Sequence, residues 1–247
     1  MIELFEIDEL KLYFGEDFRI NEHMVIHQPT MGEIITMGER EYFALVQALV
    51  ATPSDMIAQL DKAHIDWNDI SDFELFSMMA LSFTPKQTEI FFGDFDFSKF
   101  EIVPVENERR HVLHHTELGF DFDELKYEAM VGYLRKMHSF KKNVKHAGNE
   151  ATKKIMIDMA YEDWNRMKKA PFKSQLKPLI STLVNSEGFK YDLNQIRDLN
   201  YCAFMDSVAR QQIIRSSTAL MHGIYSGNVD MKKLDKKELN CMRDLKI

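Results

Sequence analysis

Residues 174–227 read SQLKPLISTLVNSEGFKYDLNQIRDLNYCAFMDSVARQQIIRSSTALMHGIYSG, and this stretch decides the helical part of the fold. Ser174 is a suitable N-cap for a first helix, and Gly188 is a suitable residue to end it. Asp192 is followed three residues later by Gln195. This spacing is that of a capping box, because each side chain can bond to the other residue's backbone N–H. The stretch therefore predicts two helices in succession, before a third and longer one.

The longest predicted helix begins after Asn200, whose side chain can cap its first turn. Its apolar residues recur at helical spacing on one broad face. They are Tyr201, Phe204, Met205, Val208, Ile213, Leu220 and Ile224. Three of them, Phe204, Met205 and Val208, are also our candidates for binding a partner protein. The same residues can form the core instead, and the core interpretation is the favoured one.

The N-terminal part of the chain predicts a β-hairpin over residues 9–28. The segments ELKLYF and FRINEHMVIH are rich in strand-forming residues on either side of a turn at Gly15. Helical start signals then repeat, among them a threonine followed by proline at the first helical position. The predicted helices cover residues 30–37, 39–51, 53–63, 71–83 and 85–92.

Residues 93–117 change character, because they alternate and are rich in strand formers. They predict a two-stranded β-ribbon, with strands at 97–105 and 109–116. The rest of the chain is predicted to be helical, with a polar segment at 141–149 as a candidate hinge. Its further helices are expected from 121 or 123 to 138, from 149 to 168, within residues 174–227, and from 235 to 245.

Together these patterns predict a mainly α protein of the α+β class. We expect a multi-helix domain with an N-terminal β-hairpin and a central two-stranded β-ribbon. The predicted division places the hairpin, the first helices and the ribbon in residues 1–118, and a helical subdomain in residues 119–247. One continuous domain is the alternative.

Composition narrows the class of protein. The chain has 247 residues, of which 45% are apolar, so it can form a substantial core. Its formal net charge of −8 argues against a nucleic-acid-binding protein, which usually has a basic face. No apolar run approaches the ~18 residues of a membrane span, and the acidic start is not typical of a signal peptide. Cys202 and Cys241 are predicted to be free, mostly buried thiols in helices.

Two pairs of aspartates are candidate ligands for a hard cation. Asp94 and Asp96 form one pair, and Asp121 and Asp123 form the other. In an extended segment, residues i and i+2 share a face, so each pair could reach one ion. The alternative, which we favour, is that they are loop and cap residues. The histidines present the same choice between zinc ligands and surface residues; they are His111, His114 and His115, with His23, His27 or His138 as possible further ligands.

Motifs of catalysis and cofactor binding are missing from the sequence. It contains no GxSxG, GxxxxGK[ST], GxGxxG or HExxH pattern, and its ten glycines are scattered. We therefore predict a protein that is not an enzyme and has no cofactor, with a metal-dependent enzyme as the remaining alternative.

Several segments, spread over most of the chain, resemble proteins encoded in the tail-morphogenesis region of phages and prophages of Gram-positive bacteria. They are residues 26–42 (IHQPTMGEIITMGEREY), 69–76 (DISDFELF), 91–97 (FFGDFDF), 133–138 (YLRKMH), 185–189 (NSEGF) and 204–208 (FMDSV).

The resemblance implies a non-enzymatic function in which the protein binds other tail proteins. The expected role is that of a tail assembly chaperone in the host cytoplasm, with the tape measure, tube or baseplate proteins as partners. A structural component of the mature virion, in the tail or baseplate, is the alternative. A homo-oligomer is left open, while nucleic acid and membranes are not expected partners.

Overall fold

The computed structural model describes residues 6–105 and 110–245. The chain is mainly helical, as predicted, with two small antiparallel sheets. The helices are α1 (Glu9–Phe14), α2 (Met31–Met37), α3 (Glu39–Leu49), α4 (Ile57–Lys62), α5 (Asp72–Ala80), α6 (Pro85–Phe92), α7 (Glu124–His138), α8 (Glu150–Lys169), α9 (Leu176–Val184), α10 (Leu193–Asp198) and α11 (Tyr201–Tyr225). The strands are β1 (Phe18–Arg19), β2 (Val25–Ile26), β3 (Phe100–Pro104), β4 (His111–His115) and β5 (Phe120–Phe122).

The N-terminal hairpin is shorter than predicted and lies later in the chain. Its first predicted strand, ELKLYF, is the helix α1. Asp8 caps this helix by accepting a hydrogen bond from the backbone N–H of Leu10 at 2.8 Å. Gly15 ends it with a left-handed φ of 76°. The observed hairpin is β1 with β2, in which Phe18 pairs with Ile26.

The central ribbon has a third strand. β3 and β4 pair as expected, with Ile102 opposite Leu113, but β4 also pairs with β5. The residues that join β3 to β4, predicted at 106–108, lie outside the described ranges. The first part of the predicted strand, Phe97–Lys99, is a 3₁₀ turn. β5 follows the turn at Gly119 and was missed because it is only three residues long.

Capping boxes set the starts of several helices where the sequence predicted them. Thr30 with Glu33 and Ser71 with Glu74 form reciprocal hydrogen bonds, and the backbone N–H of Thr84 donates to the side chain of Gln87 at 3.0 Å. Two other predicted helices differ. The segment 53–63 begins as a 3₁₀ turn, Pro53–Asp55, before α4. The predicted helix 235–245 is a four-residue 3₁₀ turn, Lys236–Leu239.

One large core joins most of the elements. It combines residues from α2, α3, α5 and α6 with residues from the sheet, α7, α9 and α11. The boundary predicted after residue 118 falls in the turn between β4 and β5, so the two predicted segments share a sheet as well as this core. Its largest fully buried side chains include Tyr42, Phe76, Phe91, Phe97, Phe122 and Phe204.

A smaller core lies under α8. It is formed by Ala51, Ile57, Leu60, Trp67 and Leu75, and one side of α8 packs against it. The polar segment 141–149, the candidate hinge, leads into α8 and has no regular structure. It is nevertheless hydrogen-bonded to the turn before α4, because the Thr52 hydroxyl donates to the carbonyl of Asn143 at 2.8 Å.

The junction between α10 and α11 is held against the start of α2. The backbone N–H of Met31 donates to the carbonyl of Leu199 at 2.8 Å, and that of Tyr201 donates to Pro29 at 3.1 Å. Residues 174–227 are thereby connected to the N-terminal part of the fold.

Candidate functional site

The three predicted partner-binding residues lie in the first half of α11. Phe204 is fully buried in the large core and offers no surface to a partner. Met205 and Val208 are half-buried and pack against the same core. The hydroxyl of nearby Ser207 donates to the carbonyl of Ala203 at 2.8 Å. Phe204 therefore has a structural role, while Met205 and Val208 keep part of their surface exposed.

The second half of α11, residues 213–225, is different, and we call it the arm. None of its residues belongs to either core of the described chain. Residues 227–245, which we call the strap, fold back along one side of the arm. The chain reverses at Gly227, which has a left-handed φ of 73°. The half-buried apolar residues of the strap are Val229, Leu234, Leu239 and Leu245.

Arginine and serine side chains hold the strap in place. Ser217, only 3% exposed, donates from its hydroxyl to the carbonyl of Glu238 at 2.8 Å. Arg243 of the strap donates to the same carbonyl at 2.7 Å and pairs with the Glu238 carboxylate at 2.9 Å. The strap is held by these hydrogen bonds and does not form the helix that the sequence predicted at 235–245.

Arg210 makes the most distinctive contact with the strap. Its Nη1 donates to the carbonyl of Cys241 at 2.9 Å and to that of Arg243 at 2.8 Å. Both neighbours of Met242 are therefore anchored, while the Met242 side chain is 82% exposed. Cys241 is also exposed, contrary to the prediction of a buried thiol in a helix.

The arm also has a partly exposed apolar stripe, beside the residues that contact the strap. Ile214, Thr218, Met221 and Tyr225 follow one another at spacings of four, three and four residues, which places them on one face. Ile214 is 41% exposed and Tyr225 is 80% exposed. The stripe differs from the apolar face predicted for this half of α11, because Ile213, Leu220 and Ile224 lie about a quarter-turn to a third of a turn away from it. The four–three–four spacing was the signal that could have found it.

The part of α11 that contains the stripe has a net positive charge. Residues 207–229 contain Arg210 and Arg215 but no aspartate or glutamate. Arg215 also steadies the arm, because its Nη2 donates to the hydroxyl of Ser186 at 2.9 Å, just beyond α9. The arm is thus a helix with an exposed apolar stripe and no acidic residue of its own.

Three of the four aspartates proposed as metal ligands have other partners. Asp96 accepts from the backbone N–H of Ser98 at 2.9 Å, and Asp123 caps α7 through Lys126 at 3.0 Å. Asp121 lies 2.8 Å from Nδ1 of His114. In the described part of the chain, no group of three or more His, Cys, Asp or Glu side chains is placed to hold a metal ion.

One serine–histidine pair resembles part of a catalytic triad. Nε2 of His111 lies 2.8 Å from the hydroxyl of Ser77. Ser77 is only 1% exposed, and its hydroxyl donates to the Phe73 carbonyl at 2.7 Å. Because a hydroxyl has one proton to donate, Ser77 must accept a hydrogen bond from His111, which is the reverse of nucleophile activation. The pair joins the sheet to α5.

A second buried pair, Tyr42 and His138, lies in the large core. The Tyr42 hydroxyl is 2.6 Å from Nε2 of His138, and Nδ1 of His138 is 2.7 Å from the Leu134 carbonyl. The ring therefore donates from Nδ1 and accepts at Nε2, which requires neutral imidazole. Burial lowers the pKa of His138 to about 4 and raises the pKa of Tyr42 well above its usual value. Neither group is accessible to a substrate.

No protein-family model, no curated protein and no solved structure matches this chain. Among the described residues, no helix is long and apolar enough to cross a membrane.

Proposed function

We propose that this chain is a non-catalytic tail assembly chaperone of a phage or prophage, and that its arm binds a helix of the tape measure protein. The observation that carries the proposal is the partly exposed stripe Ile214–Thr218–Met221–Tyr225, which lies outside both cores. The resemblance of the sequence to tail-morphogenesis proteins supplies the identity of the partner.

The spacing of the stripe suits a helical partner. Residues repeating at four and three positions form the seam by which two α-helices pack side by side. Met221 and the exposed Met242 suit a partner with varied apolar residues, because the unbranched thioether adapts to irregular surfaces. Covering the apolar residues of the partner would keep its long helix from associating with other chains until the tail polymerises around it.

The partner is expected to be acidic next to its apolar residues. Arg210 and Arg215 are the only formally charged residues between Ser207 and Val229. A carboxylate of the partner beside the seam would be attracted to this basic segment, whereas a lysine or arginine of the partner there would be repelled.

Co-expression with overlapping fragments of the tape measure protein tests the proposal. The chain should co-purify with at least one helical fragment, and the double variant Ile214→Asp, Tyr225→Asp should not. Val144→Asp is a matched control, because Val144 is 71% exposed but lies far along the chain from the arm. If no fragment co-purifies, or if the arm variant binds as well as the control, the proposal is wrong.

Mass spectrometry of purified phage particles separates the chaperone from the alternative of a virion component. A chaperone is released before the particle matures, so it should be absent. A stoichiometric amount of the chain in the tail or baseplate would show a structural component instead.

A further inference from the structure

An apolar groove lies between α2, α9 and α10. Its volume is about 380 Å³, towards the lower end of the ~300–1,000 Å³ range of ligand pockets. Ile34 and Leu176 are buried, whereas Ile35 is 45% exposed and Leu193 is 62% exposed. The other residues that line it are Glu39, Ser174, Lys177, Ile180, Ser181, Val184 and Asn185.

The walls of the groove are held by contacts of α9 with α3 and of α2 with α10. Glu39 of α3 accepts hydrogen bonds from the backbone N–H groups at the start of α9. α2 and α10 also approach closely: a Cβ added to Gly32 would lie 3.0 Å from the carbonyl oxygen of Arg197. An exposed apolar groove that is held open in this way is typical of a site for apolar side chains.

The chain itself has an exposed apolar pair on α1. Leu10 and Phe14 lie on successive turns of α1 and are 69% and 72% exposed. α1 is firmly attached, since Gln28 donates to the Leu12 carbonyl at 2.8 Å and Asn200 donates to the Tyr13 carbonyl at 3.0 Å. The pair is thus presented outward on a fixed helix.

Charge favours a contact between these two surfaces. Residues 1–140, which include α2, contain 27 Asp and Glu against 11 Lys and Arg, and residues 141–247, which include α9 and α10, contain 12 against 20. α1 belongs to the acidic part and has exposed carboxylates on both sides, at Glu6, Asp8, Glu9, Glu16 and Asp17. In the groove, Lys177 is a lining residue, and the carboxylate of Glu39 is already engaged by α9.

We propose that the groove binds α1 of a second copy of this chain, with Leu10 and Phe14 seated in it and Lys177 facing the acidic residues around α1. The two surfaces differ, so the contact is head-to-tail. In a pair of copies joined by one head-to-tail contact, one α1 and one groove remain free. Further copies can therefore be added until the assembly closes into a ring or extends as a filament. It uses none of the residues of the arm, so it is independent of the proposed function.

Sedimentation velocity of the full-length chain tests this proposal. We expect association that grows with concentration and weakens in high salt, because the Debye length falls from ~10 Å at 0.1 M to ~3 Å at 1 M salt. Phe14→Asp and Leu193→Asp should each weaken association by about tenfold or more, since each removes a large apolar side chain from the contact. Tyr225→Asp, on the arm, is the matched control and should associate like the unmodified chain.

Mixing the two variants provides the decisive measurement. Phe14→Asp keeps its groove and Leu193→Asp keeps its α1, so an equimolar mixture should form a heterodimer and nothing larger. Circular dichroism checks that each variant is folded, and Phe14→Ser with Leu193→Ser replaces any that is not. A monomeric unmodified chain at all concentrations, variants that still associate, or a mixture that stays monomeric would each overturn the proposal.

Discussion

The carboxylate of Glu39, at the start of α3, lies 3.0 Å from the backbone nitrogen of Leu176, the first residue of α9. The same oxygen accepts from the N–H of Gln175 at 2.6 Å, and the other oxygen accepts from the Ser174 hydroxyl. These N–H groups have no partner within their own helix, and the helix dipole favours a negative charge at this end. A residue 137 positions earlier in the chain therefore caps α9.

Glu39→Gln should lower the free energy of unfolding by about 1–2 kcal/mol, because it weakens charge-assisted hydrogen bonds to the end of α9. Glu41→Gln is the matched control, since it also removes a negative charge from the first turn of α3. It should change stability by less than about 0.5 kcal/mol. Urea unfolding of both variants makes the comparison, and equal losses would mean that the charge on α3, not the contact with α9, is what matters.

His138 should make the protein less stable as the pH falls below neutrality. Its pKa is about 4 in the folded state against 6.5 ordinarily, because burial disfavours the charged imidazole. Between these values the unfolded chain binds the proton and the folded chain does not, so lowering the pH from 7.5 to 5 costs about 2 kcal/mol of stability from this group. Above pH 6.5 the imidazole of His138 is neutral in both the folded and the unfolded state, so no stability is lost to this group.

Urea unfolding at pH 7.5 and pH 5 checks this sign, with His138→Gln as the comparison. The variant retains an acceptor for the Tyr42 hydroxyl but has no proton to gain. It should be less stable at pH 7.5, and it should lose about 2 kcal/mol less than the unmodified chain on acidification. An equal loss in both proteins would assign the pH dependence to other groups.

Helix starts could be predicted from local sequence wherever a cap and its partner are three residues apart. Thr30, Ser71 and Thr84 all begin helices for this reason. α1 was assigned to a strand because its residues alternate, although Asp8 and Gly15 carried the correct start and stop signals. β5 escaped because three residues give too little periodicity, and its pairing with β4 depends on tertiary contacts.

The candidate site was harder to predict than the fold. The sequence identified α11, but a helical stripe does not show which side another part of the chain covers. Phe204 and Ile213 look equivalent in the pattern, yet Phe204 belongs to the large core and Ile213 does not. The strap is held by single side chains such as Arg210 donating to backbone carbonyls, a contact that no local spacing encodes.

Arg210→Ala should loosen the strap while leaving the cores folded. The variant loses two hydrogen bonds to the carbonyls of Cys241 and Arg243, and each is worth about 0.5–1.5 kcal/mol or more when the donor is charged. We expect faster amide hydrogen exchange and faster tryptic cleavage in residues 230–245, with unchanged exchange in α7. Lys173→Ala is the control for a lost surface cation. Unchanged cleavage of the strap would mean that Ser217 and Arg243 hold it without Arg210.

Met205→Asp and Ile214→Asp should separate the role of the first half of α11 in the core from the proposed role of the second half in binding. Met205 is half-buried against the large core, so a carboxylate there loses hydration, and stability should fall by about 2 kcal/mol or more. Ile214 is 41% exposed, so the same substitution should change stability by less than about 1 kcal/mol. Thermal unfolding measures the first effect, and co-purification with a tape-measure fragment measures the second. A stable Met205→Asp variant that no longer binds would move the interface to the first half of the helix. A stable Ile214→Asp variant that binds normally would remove Ile214 from it.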